Sequence, residues 1–530
     1  MRRIFLTGAT GVMGMAGLRH LTQARYSDGP LKITVLARDS AANRAKLAPF
    51  IAKGVEVIWG DLLDAEAVAR GVSEADVVLH VGGMVSPMAD WYPEKTYKVN
   101  TGAMRNIIEA VRLVEARGEA PVRLRSGAEP GGNGGDGSPF ACAPAQNQAG
   151  TGGSGVHDGL GEARERVVSV VYIGSVSQYG NRPEGVHWGR CGDPVNVATY
   201  DMYALSKCEA ERMLAESGLR RWVSLRQTGI MYPRLLMKGS DPISFHVPLR
   251  GCLEWVTDDE SGRLLAAVCD PALPDSFWRR FYNIGGGDGW RVCNYDFVNM
   301  TLSAVGCPPI YKVFERNWFA TRNFHGIWYT DSDLLDGYLH FRAPESMESY
   351  LSRISKGLPW YFRLAPLAPA WLIKMAMKQV ASKKVLGPLD WIASGNADRI
   401  FAAFGGREAY DAIPGWDADV ARPLSRTTRL LDHGYDESKS PSDWDATDLD
   451  RAARFRGGRC LSAPKGEGIA DTPVEWECSE GHRFTLTPRT VLLGGHWCGE
   501  CLKEVSQNPR TFFRLAAKSP FMRQIAEKYD

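Results

Sequence analysis

Tyr203 and Lys207, four residues apart in YDMYALSKCEAE, are the pair in this sequence best suited to moving a proton. On a helix that spacing puts both side chains on one face, where an ammonium beside a phenol favours the phenolate. A free phenol titrates at about 10, so such a neighbour would let it exchange protons with a substrate hydroxyl or carbonyl near neutral pH. Tyr and Lys at this spacing are also common on solvated helices. The pair gains weight from Ser175, in SVSQYG at the end of the apolar run VVSVVYIGS. A serine at a strand's carboxyl end in an open parallel sheet faces the ligand crevice, where it can hold the oxygen that Tyr203 protonates. A serine that merely caps a turn is the plainer alternative.

A second constellation opens the chain. Gly8, Gly11 and Gly14 in TGATGVMG follow an apolar strand and begin a helix. Gly8 permits a tight turn, Gly11 lets the backbone approach a pyrophosphate, and Gly14 allows close helix packing, with the helix N-terminus facing the negative charge. The segment VLARDS decides which dinucleotide fits. Ala37 stands where an acidic side chain would bind the ribose 2'-hydroxyl, and Arg38 follows it. A guanidinium suits a 2'-phosphate, so NADP is expected over NAD; in the alternative Arg38 is a surface residue and Asp39 makes the acidic contact. Asp61 in GDLLD is placed to meet the adenine amino edge, or else caps the next helix.

A third constellation lies near the C-terminus, where four of the 11 cysteines fall in the last 71 residues. Cys478 and His482 are one short chelating pair and Cys498 and Cys501 another, separated by 15 residues that fit a small hairpin. Four such ligands can close a tetrahedral zinc site whose metal bonds supply the folding energy that a unit of this size lacks, a structural rather than catalytic role. Cys460 and His496 are spare candidates, and unliganded thiols the remaining alternative. The pattern resembles zinc-ribbon-like modules with Trp before the first Cys, Gly-His after it and Trp-Cys-x-x-Cys at the end.

The elements that must position these residues alternate. Strand-like runs (RRIFLTGA, KITVLAR, VEVIWGD, ADVVLHVGG) are separated by helical patterns over 12–23 and 43–52, as in βαβ units forming a parallel sheet covered by helices. A helix from Thr101 to about Ala116 follows, and then residues 127–161 hold 12 Gly in 35 and read as a flexible insertion. Residues 344–405 look mainly helical. Between 434 and 450, six acids against one Lys mark a solvated linker, so truncation after Leu430 is expected to leave a folded nucleotide-binding domain. A Cys/His unit over 451–507 and one terminal helix over 508–530 complete the expectation.

In order along the chain, TGATGVMG, GDLLD, HVGG, YKVN, SVSQYG, YALSK, LRQTGIMYP and FYNIGGG together resemble the extended short-chain dehydrogenase/reductase family, the NAD-dependent epimerase/dehydratase group, over roughly residues 1–345. The resemblance implies a Rossmann core over about 1–232 and a smaller substrate lobe mainly over 233–345. By it, Tyr203 is the acid/base, Lys207 lowers the Tyr203 pKa and holds the nicotinamide ribose, and Ser175 orients the substrate. Gly8, Thr10, Gly11, Val12, Gly14, Arg38, Asp61, Leu62, Val81 and Gly82 would face the cofactor with Tyr203 and Lys207. LRQTGIMYP has Gln227, Thr228 and Gly229 where sugar-nucleotide enzymes often carry Asn, so it looks more like the hydroxysteroid-dehydrogenase and ketone-reductase side. The expected activity is therefore an NADP-dependent oxidoreductase acting on a carbonyl or secondary alcohol. The alternatives are a cofactor-retaining epimerase or dehydratase of a sugar nucleotide, and a cofactor-sensing scaffold. The insertion at 127–161 and everything after about 345 are foreign to the pattern.

Size and composition bound these readings. The 530 residues exceed the roughly 250–300 that one core supports. With 44% hydrophobic and 23% charged residues, a disordered or collagen-like chain is excluded. A formal charge of +2 gives no global field for nucleic acid or membrane, and the last 80 residues carry only four excess positive charges, so nucleic acid is not an expected partner. No signal peptide is seen, which makes the cytoplasm the expected compartment. Trp360 to Ile373 is interrupted by Arg363, Pro366 and Pro369, which argues against a membrane span; it reads as a core or lid helix, with a membrane-surface contact as the alternative. The partners expected are a small-molecule substrate and a homodimer copy or a protein contact through the C-terminal module.

Overall fold

The computed structural model describes residues 1–119, 166–237, 241–360, 362, 367–462 and 468–529; the glycine-rich stretch 127–161 lies outside them. Seven strands, β1 Arg3–Thr7, β2 Lys32–Ala37, β3 Glu56–Trp59, β4 Val77–His80, β5 Ser169–Ser175, β6 Trp222–Gln227 and β7 Arg280–Ile284, form one sheet. Their order is β7-β6-β5-β4-β1-β2-β3, and every neighbouring pair is parallel. Continuous apolar runs such as VVLH and SVVYIGS can sit here because helices cover both faces. Ile4 and Leu6 enter one core cluster with Val35, Leu79, Val171 and Leu225, while Phe5 enters the other with Val78, Val170 and Tyr172, the two-residue alternation of a strand. The covering helices include α1 Val12–Leu21, α2 Ala41–Ile51, α3 Ala65–Ser73, α4 Pro93–Glu119 and α5 Met202–Ala215. The chain runs outward from β1 to β3 and then returns to β4 at the other side of β1. That reversal opens a crevice at the carboxyl ends of β1 and β4.

Beyond Pro233, where a substrate lobe is expected, the chain also completes the main sheet and its core. β7, from the FYNIGGG segment, extends the main sheet beside β6, and helix α6 Asp258–Ala267 lends Leu264 and Leu265 to the same cluster as Leu18 and Leu21 of α1. The extension is helical as expected and includes α7 Ala370–Ala381 and α8 Ala397–Phe404.

Residues 434–450 do not form a solvated linker. Trp444 is 4% exposed, Asp448 and Leu449 are buried, and Lys439 pairs with Asp448 at 2.7 Å. Helix α9 Ala446–Phe455, capped by Asp445, starts inside the stretch. Acid count concealed an amphipathic pattern in which Trp444, Leu449, Ala452 and Ala453 pack on Trp476. The single terminal helix is two, Thr511–Lys518 and Pro520–Ala526, because Pro520 cannot continue a helix and Ser519 caps the second.

The C-terminal unit, a three-stranded antiparallel sheet of β8 Arg459–Cys460, β9 Val474–Glu477 and β10 Arg483–Leu486 followed by helix α10 Gly499–Gln507, is not a separate tail. It grips α5 along its length. The Tyr200 N–H donates to the Ser506 carbonyl (2.7 Å) just before the helix, His496 Nε2 lies 2.8 Å from Glu211 Oε1 in its middle, and Thr487 Oγ1 donates to Glu216 (2.8 Å) at its end. An independently folding tail, expected from the acid-rich stretch, is thereby replaced by one packed body.

Candidate active site

At the crevice the first turn is built as the glycines require. Gly8 has φ +74°, and a Cβ there would meet Gly82 N at 2.6 Å; a Cβ on Gly14 would meet the Gly8 carbonyl oxygen at 2.2 Å. Thr7 Oγ1 joins the two strand ends, 2.8 Å from His80 Nδ1 and accepting from the Gly82 N–H at 3.1 Å. Burial holds His80 down at about 3, so it is neutral and structural. Gly11 precedes α1 without a side-chain cap, leaving the helix N-terminus open to an anion. This cradle fits a dinucleotide pyrophosphate.

Ser175, Tyr203 and Lys207 meet on the other side of the crevice. Asp201 caps α5 by accepting from the Ala204 N–H (2.8 Å), which fixes where the helix presents Tyr203. Ser175 caps the turn, its Oγ accepting from Ser177 N (3.2 Å) and Ser177 Oγ (2.9 Å), and it also hydrogen bonds Tyr203. Lys207 Nζ donates to the Ile173 carbonyl (2.8 Å) and lies 4.9 Å from the ring centre of Tyr172 and 5.9 Å from that of Tyr203. Burial pushes the Tyr203 phenol up to about 12, with the Ser175 bond pulling it down; burial lowers Lys207 to about 8, against the pull of Glu211. Here the structure departs from the sequence reading: without a ligand the ammonium does not depress the phenol, because it sits against the Tyr172 ring and a carbonyl.

All three residues, and every cofactor-facing residue expected from the sequence, line one cavity of about 1640 Å³. Asp64 caps α3, accepting from Glu66 and Ala67, so Asp61 is not the cap and stays at the cavity wall. Asp39 is held by Arg44 at 2.6 and 2.7 Å, which takes it away from the ribose contact and leaves Arg38 at the cavity edge.

Three residues here escaped sequence reasoning. Asp90 lines the cavity, its Oδ2 has no hydrogen-bond partner among the described residues, and burial followed by the charge of Asp201 raises it to about 6. Arg399, on α8, lines it too, its guanidinium 4.0 Å from the ring centre of Tyr200. His246 is held neutral by burial at about 4, and its ring lies tilted at 41° to that of Trp391 with centres 4.9 Å apart. No local motif surrounds any of them. The extension brings Leu386, Trp391 and Arg399 over the cavity, so it closes the site rather than standing apart.

The Cys/His residues also converge. The ligand atoms of Cys478, His482, Cys498 and Cys501 lie within 4.8 Å of one another. His482 Nδ1 is 3.5 Å from each of the three sulfurs, and Cys478 Sγ is 3.7 Å from Cys501 Sγ. Bonds of about 2.3 Å to sulfur and 2.0–2.1 Å to nitrogen give tetrahedral edges of about 3.8 and 3.6 Å, so the set fits one four-coordinate ion. The first pair sits at the β9–β10 turn itself, so the hairpin lies within that pair rather than between the pairs; β10 and the turn Arg489–Leu493 occupy the interval. Cys460 is in β8 opposite Trp476, outside the cluster, and His496 is engaged by Glu211.

Comparison with known proteins agrees with the core. Residues 4–232 match the model of the NAD dependent epimerase/dehydratase family. A dTDP-glucose 4,6-dehydratase of Mycolicibacterium smegmatis is 36% identical over 121 residues, 22% of this chain and 34% of the relative. An uncharacterized protein of Frog virus 3 is 27% identical over 108 residues, 20% of this chain and 29% of the relative. The chain thus spans about a third of these curated relatives. Among solved structures, a dTDP-glucose 4,6-dehydratase of Streptomyces venezuelae with NAD bound superposes with a TM-score of 0.46 at 20% identity, covering 68% of this chain and 97% of that one. A UDP-glucuronic acid 4-epimerase variant of Bacillus cereus in complex with NAD gives 0.44 at 13% identity, covering 68% and 99%. In its parallel sheet, its glycine turn at the β1/β4 reversal and the matched segment, the part of this chain over residues 4–232 is similar to the NAD dependent epimerase/dehydratase family.

Proposed function

We propose that this chain is an NAD(P)-dependent enzyme that oxidises a hydroxyl-bearing carbon of a sugar nucleotide transiently, as an epimerase or dehydratase that retains its cofactor. The observation that carries the reading is that the glycine cradle and Ser175, Tyr203 and Lys207 share one cavity. The family match and the dehydratase relative support this reading over a net oxidoreductase. A bound nicotinamide dinucleotide would supply the hydride acceptor and donor. Tyr203 takes the proton from the substrate hydroxyl and returns it, Ser175 holds that oxygen, and Lys207 keeps positive charge beside the phenol as it ionises. A dehydration needs a further acid or base, and Asp90, titrating at about 6, is the cavity carboxyl poised for it. The second reading, an NADP-dependent reductase of an apolar ketone, is favoured by Phe245, Trp255, Phe297, Phe314 and Phe319 in the cavity wall. Assays with dTDP- and UDP-hexoses and with apolar ketones separate the two. Conversion of a sugar nucleotide without net cofactor oxidation supports the first; stoichiometric NADPH oxidation by ketones alone refutes it.

Arg38 and Ala37 support NADP over NAD. Arg38→Ala is expected to weaken NADP binding by about 1.5–3 kcal/mol, the scale of a hydrogen bond to a charged group, while NAD binding barely changes. Titration calorimetry with both cofactors checks this, and equal losses would remove the selectivity reading.

We assign zinc to Cys478, His482, Cys498 and Cys501, with a structural role. Metal analysis should find one zinc per chain, retained in Cys460→Ser and lost or weakened in His482→Ala. Zinc retained without His482 but lost without Cys460 would overturn the ligand set.

A further inference from the structure

Helix α7 has two unlike faces. Ile373, Met377 and Val380 pack inward on the cluster of Val313, Phe314 and Phe319. On the outer side Trp371, Leu372 and Met375 are 66%, 42% and 54% exposed, and Leu367 just before the helix is 76% exposed. Isolated apolar residues at a surface need no explanation, but a contiguous group containing a tryptophan marks a contact surface. The charge beside it has one sign. Residues 370–384 contain Lys374, Lys378, Lys383 and Lys384 and no acid. Lys374 pairs with Glu315, whereas Lys378 and Lys384 are exposed and have no ion-pair partner among the described residues. Lys383 lies 5.0 Å from the ring centre of Trp91, which carries the apolar surface onto the turn holding Met88 and Tyr92. Both are more than half exposed, and both line the cavity.

We infer that this face docks on an anionic lipid bilayer, with α7 lying in the interfacial plane. Among the described residues no helix is long and apolar enough to cross a membrane. A short helix that offers Trp, Leu and Met beside lysines has instead the composition of an interfacial helix: the apolar side chains enter the headgroup and acyl boundary, and the lysines meet anionic headgroups. Charge decides against a second copy of the chain. A two-fold interface sets a patch against itself, and would bring lysines against lysines over an apolar contact. Anionic headgroups supply the opposite sign.

Flotation of the full chain with vesicles tests the inference. Binding is expected to phosphatidylcholine vesicles containing phosphatidylglycerol, to weaken as salt is added, and to be much poorer to phosphatidylcholine alone. Each of Lys378→Gln and Lys384→Gln should lower the partition coefficient by up to about five-fold, the factor that corresponds to about 1 kcal/mol per surface lysine. Trp371→Ser with Met375→Ser should lower it by more than ten-fold at an unchanged melting temperature, since both side chains are largely solvated in the free protein. Failure of the full chain to float with anionic vesicles would overturn the proposal. So would binding indifferent to Trp371→Ser with Met375→Ser, or a dimer in vesicle-free solution that those substitutions dissolve.

Discussion

Tyr203→Phe is expected to lower turnover by about 10²–10⁴-fold, the usual contribution of a positioned acid/base, while cofactor affinity stays nearly unchanged. The ring and its packing remain and only the hydroxyl that handles the proton is lost. With the phenol at about 12 and Lys207 at about 8 in the ligand-free arrangement, the pair at neutral pH is a neutral phenol beside an ammonium. Tyr203 is thus loaded as an acid, and acting as a base requires that its pKa fall when substrate and cofactor fill the cavity. Lys207→Ala should therefore impair both turnover and cofactor binding. Steady-state kinetics and a direct binding titration read the two separately. Full activity in Tyr203→Phe would remove it from the mechanism, and an effect of Lys207→Ala confined to substrate affinity would remove the double role of the lysine.

Arg226→Met should cost about 3–5 kcal/mol of stability, the penalty for leaving one partner of a buried ion pair uncompensated. Arg226 and Glu211 are wholly buried and 2.6 Å apart, and Arg226 Nη2 also donates to the Gly494 carbonyl (2.6 Å) of the C-terminal unit. Glu211 is buried, yet Arg226 and then the His496 bond hold its carboxyl far below the ordinary 4.5. A depressed carboxylate contributes stability that is fully present above its unfolded pKa and is lost as pH falls toward the folded value. In Arg226→Met the unpaired carboxyl protonates more readily, so the penalty should be largest near neutral pH and shrink in acid. Urea melts across pH check both magnitude and sign; a uniform penalty would mean lost packing rather than lost charge. The same network predicts that truncation after Leu430 destabilises the remaining chain, since it removes Ser506, His496, Gly494 and Thr487 from α5 and β6. Metal removal should likewise lower the melting temperature of the whole chain. A truncated chain with an unchanged melting temperature would contradict the clamp on α5.

Much of the site was legible because its signals are local. Gly8 and Gly14 are dictated by backbone geometry within one turn, Tyr203 and Lys207 by helical spacing, and Cys478, His482, Cys498 and Cys501 by the short reach of a chelating pair. The alternating apolar runs likewise carried the parallel sheet, since strands covered on both faces must be apolar throughout. Reading failed where local composition stood in for packing. The acids of 434–450 suggested solvent, yet Trp444 and Leu449 there belong to a core completed by Trp476, more than 25 residues farther along.

By itself the sequence determined the covalent periodicities: which segments alternate as strand and helix, where the turn must be glycine, and which pairs can chelate or share a helix face. Only the tertiary structure decided that the C-terminal unit is clamped along α5, that Lys207 faces a carbonyl and the Tyr172 ring, and that Asp90 and Arg399 enter the same cavity as Tyr203. These are contacts between residues tens to hundreds of positions apart. Burial and charge from distant elements set the energies of such contacts, and no short-range pattern records them.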